Sequence, residues 1–248
     1  MTKSRQNKPK TKRSKVRLSK LTFHKLSWLE YVTIGLGLWF LFYPKPYIIL
    51  FSALLCMPIL GLILNGMTGR PSIASLVEIS KDNNGNDEYD VADFIDYAAW
   101  IILFRVLIDY EFESFYSIII PGTIAFIIML MILFATHKVI EKTTKSKTWI
   151  YLSLIFNVLL YSYAGTYGAN CVYDKSEPIV YNVKVVDKSI SKSRRSTTYY
   201  VKVAPWGHHY DQEEISVSKN QYEEIQIGQI IKIDFKQGLF NIPWYYIE

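Results

Sequence analysis

Four charged side chains, Asp93, Asp96, Arg105 and Asp109, lie within an otherwise apolar stretch of the sequence, residues 91–110 (VADFIDYAAWIILFRVLIDY). Arg105 and Asp109 are four residues apart, so a helix places them on one face, where they can form an ion pair. Charged groups inside a membrane are costly and often mark an ion or substrate pathway. Arg105, Asp109 and Asp96 together therefore define the hypothesis of a transporter. The alternative is a structural role, because a long side chain such as Arg105 can reach the interface from near a helix end.

Two similar tetrapeptides, FIDY and LIDY, place Asp96 and Asp109 thirteen residues apart in this stretch. At about 100° per residue, one continuous helix separates the two carboxylates by roughly 140° around its axis. They cannot share a proton there, and the sequence has no GxGD segment of the kind that intramembrane aspartyl proteases carry. The chain also lacks HExxH, GxSxG, Walker A and GxGxxG motifs, so no motif predicts an enzyme.

Two polar segments contain metal-ligand residue types, and neither has a complete ligand pattern. In HHYDQEE, His208 and His209 are adjacent, so a strand points them to opposite faces and only one can join a given site. The segment DNNGND supplies oxygen ligands at positions 1, 3 and 5 of a calcium loop that would end at Asp93. Its glycine stands at position 4 instead of 6, and position 12 is Asp instead of Glu. Both segments are predicted to be solvated, and no metal or other cofactor is expected.

The elements that must position these residues are membrane-spanning helices. The longest apolar stretch, residues 114–136, carries no charge from 118 to 135. It meets the requirement of about 20 apolar residues for crossing a hydrocarbon core of about 30 Å. With four further apolar segments, it predicts an α-helical membrane bundle of four or five spans within residues 27–168. The five segments are 28–43, 46–65, 91–110, 114–136 and 148–167.

The N-terminal tail, residues 1–26, contains ten Lys or Arg and no acid, so the rest of the chain sums to −4 (6 − 10). Its composition predicts a disordered, cytoplasmic segment. Two explanations remain open: a topology signal, or attraction to anionic lipid headgroups, worth about 1 kcal/mol per nearby Lys or Arg. The tail runs directly into a membrane segment, so no nucleic-acid partner is expected.

The side of the membrane on which the C-terminus lies follows from counting crossings. Four lysines between Lys138 and Lys147 favour a cytoplasmic loop, as does the basic tail. An even number of crossings must separate the two, and only counting residues 91–110 as a span gives four. Five spans in the cell membrane, with the C-terminus outside the cytoplasm, are therefore favoured.

Beyond Tyr167 the hydrophobic period changes from helical to two, which is typical of half-buried strands. Ser218 and Gln221 have the spacing of a capping box for one helical turn. The candidate strands are residues 179–186, 198–203, 214–218, 230–236 and 244–247. This pattern predicts a small all-β C-terminal domain over residues 173–248, an OB- or SH3-like barrel.

Aromatic residues are frequent in this β-domain, and they predict an interaction surface that meets a protein partner or the bilayer. The predicted surface consists of Tyr199, Tyr200, Trp206, Tyr210, Trp244, Tyr245 and Tyr246. The predicted hairpin of residues 188–197 carries Lys192, Arg194 and Arg195. A solvated tip is favoured, and contact with phosphate headgroups is the alternative.

The string YAGTYGANCVYDKSEPIVYNVKVVDK from Tyr163, with YYVKVAPW, ISVSKNQYEEIQIGQIIKI and GLFNIPWYYI, resembles uncharacterised bacterial multi-pass membrane proteins. These have a small C-terminal β-domain after an Asn…Asp-x-Ser element, here Asn170, Asp174 and Ser176. The resemblance implies a fold and no activity. We expect a membrane anchor that presents a β-domain for protein interaction or sensing at the membrane surface, without catalysis. The alternative is a transporter or ion-pathway protein that uses Arg105, Asp96 and Asp109.

Overall fold

The computed structural model describes residues 27–67, 69–81, 85, 87–140, 147–193 and 196–247. The basic tail and most of the DNNGND segment lie outside this range. The helices are α1 (Ser27–Phe42), α2 (Tyr47–Met67), α3 (Asp93–Asp109), α4 (Ile119–Thr136), α5 (Lys147–Val172) and α6 (Lys219–Glu224). The strands are β1 (Val77–Lys81), β2 (Asp87–Val91), β3 (Glu111–Phe112), β4 (Ile179–Lys192), β5 (Thr197–Val203), β6 (Glu213–Val217), β7 (Ile230–Lys236) and β8 (Trp244–Ile247).

Among the described residues, three helical segments are long and apolar enough to cross a membrane by length and composition. They are Tyr47–Met67, Phe115–Thr136 and Lys147–Val172. The apolar helix Trp28–Phe42 is shorter, and both Trp28 and Phe42 at its ends are exposed. The structure thus contains the apolar helices expected of a membrane protein, followed by the strands that the alternating pattern predicts.

Helix α3 packs against α1, α2 and α5 and is the central helix of the bundle. It buries Ala98, Ala99 and Ile102 completely, and the small side chains of the two alanines let neighbouring helices approach closely. Its other side exposes Phe104 and Ile108. The neighbouring helices therefore cover much of a segment that carries more charged residues than any of the other four long helices.

Pro58 lies inside α2, where its ring cannot donate the usual helical hydrogen bond. The hydroxyl of Tyr161 on α5 donates to the carbonyl oxygen of Leu55, one turn before the proline. The carbonyl that Pro58 leaves without its helical donor is that of Leu54, four residues earlier. The Tyr161 hydrogen bond to the adjacent Leu55 carbonyl links α2 to α5 beside the proline.

Two residue pairs show which helix ends lie together. At one end of the bundle, the Tyr47 hydroxyl at the start of α2 donates to Asp109 at the end of α3 (2.7 Å). At the other end, the Asn65 side chain near the end of α2 lies 3.1 Å from Nε2 of His137, directly after α4. Helices α2, α3 and α4 therefore all run between the same two ends.

Helices α1 and α5 run between the same ends. Arg105 near the end of α3 donates to the carbonyl of Leu41 in the last turn of α1. Ser52 near the start of α2 hydrogen-bonds with Tyr173, directly after α5 (2.6 Å). The start of α5 lies at the opposite end, where Ile140, just after α4, donates its N–H to the Tyr151 hydroxyl.

The C-terminal sheet is antiparallel and has the order β3-β8-β7-β4-β5-β6. Strand β4 pairs with β7 through Ile179–Lys184 and with β5 from Val185 onward, with an irregularity between Val185 and Asp187. A bulge of this kind bends a strand and increases its twist, so the sheet curls around its own core. Fully buried members of that core are Val185, Val201, Val203 and Ile233.

Strand β3 reaches this sheet from the connection between α3 and α4. Glu111 pairs with Tyr245 and Phe112 with Trp244 of β8. The Phe112 ring also stacks on the Tyr167 ring of α5, with a centroid separation of 3.5 Å. The β-sheet is therefore continuous with the helical bundle.

Candidate functional site

The junction between helices and sheet is organised by Asn170 in the last turn of α5. Its side chain is fully buried. Its amide nitrogen donates to the carbonyl of Ile242 (2.8 Å), and its amide oxygen accepts from the N–H of Phe240 (2.8 Å). One side chain thus satisfies both a donor and an acceptor of the loop that leads into β8.

Asp174 fixes the same loop from the other side. One carboxylate oxygen accepts from the Ser176 N–H (2.7 Å), and the other accepts from the Gly238 N–H (3.1 Å) and the Trp244 indole (3.0 Å). Burial opposes ionisation, but the hydrogen bonds from Ser176 and Trp244 and the positive charge of Lys236 lower the pKa of the Asp174 carboxyl. Asn170 and Asp174 therefore hold the loop in place, and the Ser176 N–H orients the Asp174 carboxylate.

Arg105 and Asp109 are brought together by α3. Nε of Arg105 donates to Oδ2 of Asp109 (2.7 Å) and Nη2 donates to Oδ1 (2.6 Å), a bidentate pair. The Tyr47 hydroxyl donates to the same carboxylate (2.7 Å), so the pair joins α3 to its neighbours. Asp96 lies thirteen residues earlier on α3, about 20 Å along the helix axis at 1.5 Å per residue. The structure does not bring Asp96 to the pair.

The aromatic surface predicted from the sequence needs a correction, because three of its residues belong to the interior. Trp206, Trp244 and Tyr245 expose 6%, 5% and 4% of their surface. The polar groups of all three have partners: the Trp206 indole and Tyr245 hydroxyl donate to Glu213, and the Trp244 indole donates to Asp174. An aromatic side chain whose polar atom is satisfied can be buried. Tyr199, Tyr200 and Tyr246 are partly exposed, and Tyr210 is fully exposed.

His209 links the sheet to the chain segment between α3 and α4. Its Nε2 lies 2.8 Å from a carboxylate oxygen of Glu113, and its Nδ1 lies 3.2 Å from Glu213. The ring also stacks on Trp206, with a centroid separation of 4.5 Å. The sequence predicted a solvated turn, and the structure differs because Glu113, 96 residues earlier, lies against this turn. No sequence signal marks that contact.

In the described part of the chain, no group of three or more His, Cys, Asp or Glu side chains is arranged to hold a metal ion. Both ring nitrogens of His209 already face carboxylates, while the adjacent His208 is exposed. Three of the four calcium-loop positions named from the sequence lie outside the described residues.

A cavity of about 520 Å³ lies where the two sides of the curled sheet face each other beside the end of α3. We call it the seam groove. One wall is formed by residues 215–218 of β6 and its following turn, and the other by residues 245–247 of β8. Residues 107–109, Glu111 and Gln221 complete it. The groove therefore combines groups from both parts of the chain.

Glu111 is the carboxylate of the seam groove that has no compensating partner. It is half-buried, and it makes no hydrogen bond or ion pair with any residue that the structure describes. Burial raises the pKa of its carboxyl, and the nearby negative charge of Glu213 raises it further. By contrast, Asp109 in the same groove is paired with Arg105. No sequence pattern marks Glu111, because its surroundings come from β6 and β8, more than 100 residues later.

No protein-family model, curated protein or solved structure matches this chain.

Proposed function

We propose that this chain is a multi-pass membrane anchor that presents its β-domain at the extracytoplasmic surface of the cell membrane for interaction with a protein partner. The observation that carries the proposal is the pairing of Glu111–Phe112 with β8. Because a strand between two bundle helices belongs to the sheet, the domain cannot swing on a linker. Its orientation relative to the bilayer is fixed, which suits a module that meets a partner at the membrane surface.

Five crossings of the membrane are part of this proposal, with α1 and α3 added to the three longer apolar helices. The packing of α3 between α1, α2 and α5 supports this count, as do the shared helix ends. The Arg105–Asp109 pair lowers the cost of placing both charges in α3, because each group satisfies the other. The count puts the basic tail and the loop after α4 on the cytoplasmic side and the sheet on the other.

The order of the strands supports an OB-type barrel over an SH3-like one. Strands β4, β5 and β6 form a meander, β4 also pairs with β7, and β7 pairs with β8. Helix α6 lies between the third and fourth of these five strands. An OB-fold is a five-stranded, partly open barrel, and here the seam groove lies between its third and fifth strands.

The wider proposal includes contact of the basic tail with anionic lipid headgroups, and membership of the bacterial membrane-protein group with the Asn170, Asp174 and Ser176 element. A transporter or ion pathway through Arg105, Asp96 and Asp109 has no specific observation in its favour. Arg105 and Asp109 form an ion pair with each other, and Asp96 lies near the other end of α3.

Site-directed labelling in intact cells tests the location of the β-domain. Cys171 cannot serve as the reporter because it is buried. In a Cys56→Ala background, Tyr210→Cys places a thiol at a position that is 89% exposed on the β-domain. A membrane-impermeant maleimide should label it without permeabilisation, whereas Lys81→Cys on β1 should be labelled only afterwards. The reverse pattern, or equal labelling of both, would refute the proposed orientation.

A further inference from the structure

We propose that the seam groove binds an extended peptide segment of a partner protein, which pairs with the free edge of β6 and places a basic side chain against Glu111. This inference rests on the proposed function and names the chemistry of the partner. It is carried by the strand edges that line the groove, by the unpaired carboxylate beside them, and by the apolar end of α3.

The walls of the groove are strand edges. Successive side chains of a strand point to opposite faces, so a cavity beside one face meets every second residue. Four consecutive residues, 215–218, and three consecutive residues, 245–247, line the seam groove. A cavity that meets consecutive residues faces the backbone of the strand. The Gln221 side chain already accepts from the Ser218 N–H and donates to the Ile247 carbonyl, so the backbone groups left for a peptide are those of residues 215–217 that do not bond to β5.

The edge of β6 lacks a neighbouring strand along the groove. Among the described residues, β6 is the last strand of the sheet and pairs with β5 alone. A strand edge of this kind binds an extended peptide by adding it as a further strand.

The charge of the groove selects a basic peptide. Glu111 is half-buried without a compensating cation, and Glu213 adds negative potential from behind it. Two other acids near the groove have partners, since Asp109 is paired with Arg105, and Glu113 lies against His209. Glu214 on β6 is exposed to solvent. A Lys or Arg side chain that enters the groove would therefore meet an uncompensated carboxylate at low local dielectric, where opposite charges attract more strongly than in water.

Apolar side chains of the same peptide have a place at the end of α3. Leu107 and Ile108, in the last turn of the proposed span, line the groove at the bilayer interface and are left 45% and 71% exposed by the rest of the chain. In an extended peptide, alternate residues face opposite sides, so apolar residues at every second position can cover this area while basic residues face Glu111. A lipid with a primary amine would offer the same cation. Its acyl chains cannot form hydrogen bonds with the edge of β6, so the peptide is favoured.

The test uses full-length protein in phosphatidylcholine nanodiscs and a fluorescent eight-residue peptide in which Val and Lys alternate. A second peptide replaces every Lys with Glu, and a third carries N-methyl groups at every second amide, which removes donors along one strand edge. We expect the Val-Lys peptide to bind, the N-methylated peptide to bind at least tenfold more weakly, and the Val-Glu peptide not to bind.

Two variants place the binding in the groove. Glu111→Gln should weaken binding of the Val-Lys peptide at least fivefold. Glu177→Gln, an equal charge change at an exposed position outside the groove, should leave that binding unchanged. No binding, equal binding of the N-methylated peptide, or no effect of Glu111→Gln would overturn the inference. Displacement of the peptide by phosphatidylethanolamine in a Glu111-dependent manner would also overturn it and indicate a lipid site.

The outcome is separable from that of the proposed function. If Tyr210→Cys is labelled from outside and the peptide does not bind, the inference fails alone. If Tyr210→Cys is labelled only after permeabilisation, the proposed orientation fails whatever the peptide does.

Discussion

The backbone N–H of Phe240 donates a 2.8 Å hydrogen bond to the side-chain oxygen of Asn170, a residue 70 positions earlier at the end of α5. The same side chain donates to the Ile242 carbonyl. Because the loop that contains both partners leads directly into β8, the end of a bundle helix determines where the last strand of the sheet begins. The helical and β parts of the chain are expected to unfold together.

Asn170→Ala should destabilise the junction, because it leaves the Phe240 N–H and the Ile242 carbonyl without partners in the interior. Each stranded group costs about 1–3 kcal/mol. Thermal unfolding of the detergent-solubilised protein, followed by tryptophan fluorescence, should show a lower midpoint. Asn220→Ala, on the exposed face of α6, is the matched control and should leave the midpoint unchanged. Equal midpoints for the two variants would contradict the assigned role of Asn170.

Gly238→Ala should be more damaging than Gly228→Ala, although both glycines have positive φ, +77° and +88°. The conformational penalty of about 1–2 kcal/mol for a non-glycine residue is common to both. At position 238 the new Cβ would lie 2.3–2.5 Å from the Asn170 amide and the Ile242 oxygen, whereas at 228 no atom lies within 4 Å. Thermal midpoints of the two variants measure the difference. A Gly228→Ala protein as unstable as Gly238→Ala would show that the space around residue 238 is not restrictive.

Arg105→Ala or Asp109→Ala should lower the free energy of unfolding by about 3–5 kcal/mol, because each leaves the other charge largely buried without compensation. Tyr47→Phe removes only one hydrogen bond to a charged group, worth about 1.5–3 kcal/mol, so it should be milder. The yield of folded, membrane-inserted protein and its thermal midpoint are the measurements. Exchange of Arg105 and Asp109 should rescue the protein only in part, since Tyr47 and the Leu41 carbonyl would face the wrong charges. Normal folding with a lost cellular function would favour a pathway role.

The sequence predicts what depends on local pattern and misses what depends on distant contacts. Apolar length located the helices, and alternation located β4 to β8 because each strand has one face in the core. Strand β3 is two residues long and has no pattern, so it exists only because β8 lies beside it. The same reason hid Glu111, whose environment is built by residues from the end of the chain. Burial of Trp206 and Trp244 also escaped prediction, because it depends on acceptors supplied by Glu213 and Asp174.

Asp174 should make the junction sensitive to acid. Its folded-state pKa is lowered, so its contribution to stability is fully present above the unfolded value of about 3.9 and is lost as the pH falls through the folded value. Asp174→Asn should therefore lower the thermal midpoint at pH 7, and the difference from the parent should shrink below about pH 4. Midpoints measured from pH 7 to pH 3 check this. Glu177→Gln, an exposed acid, provides the control for general charge effects.

Glu111→Gln should raise the thermal midpoint of the peptide-free protein at pH 7. Burial and the charge of Glu213 raise the pKa of Glu111 in the folded state, so its ionised form opposes folding above that pKa. Once the pH falls below the unfolded value of about 4.3, the carboxyl is protonated in both states and the difference should vanish. Glu214→Gln, an exposed neighbour of the groove on β6, should change the midpoint little at any pH.

A lower midpoint for Glu111→Gln at pH 7 would mean that the carboxylate already has a stabilising partner, which would remove the reason for a basic ligand. Stabilisation of the empty protein together with weaker binding of the Val-Lys peptide is the combination expected of a carboxylate kept for recognition, because functional sites are often held at a cost in stability.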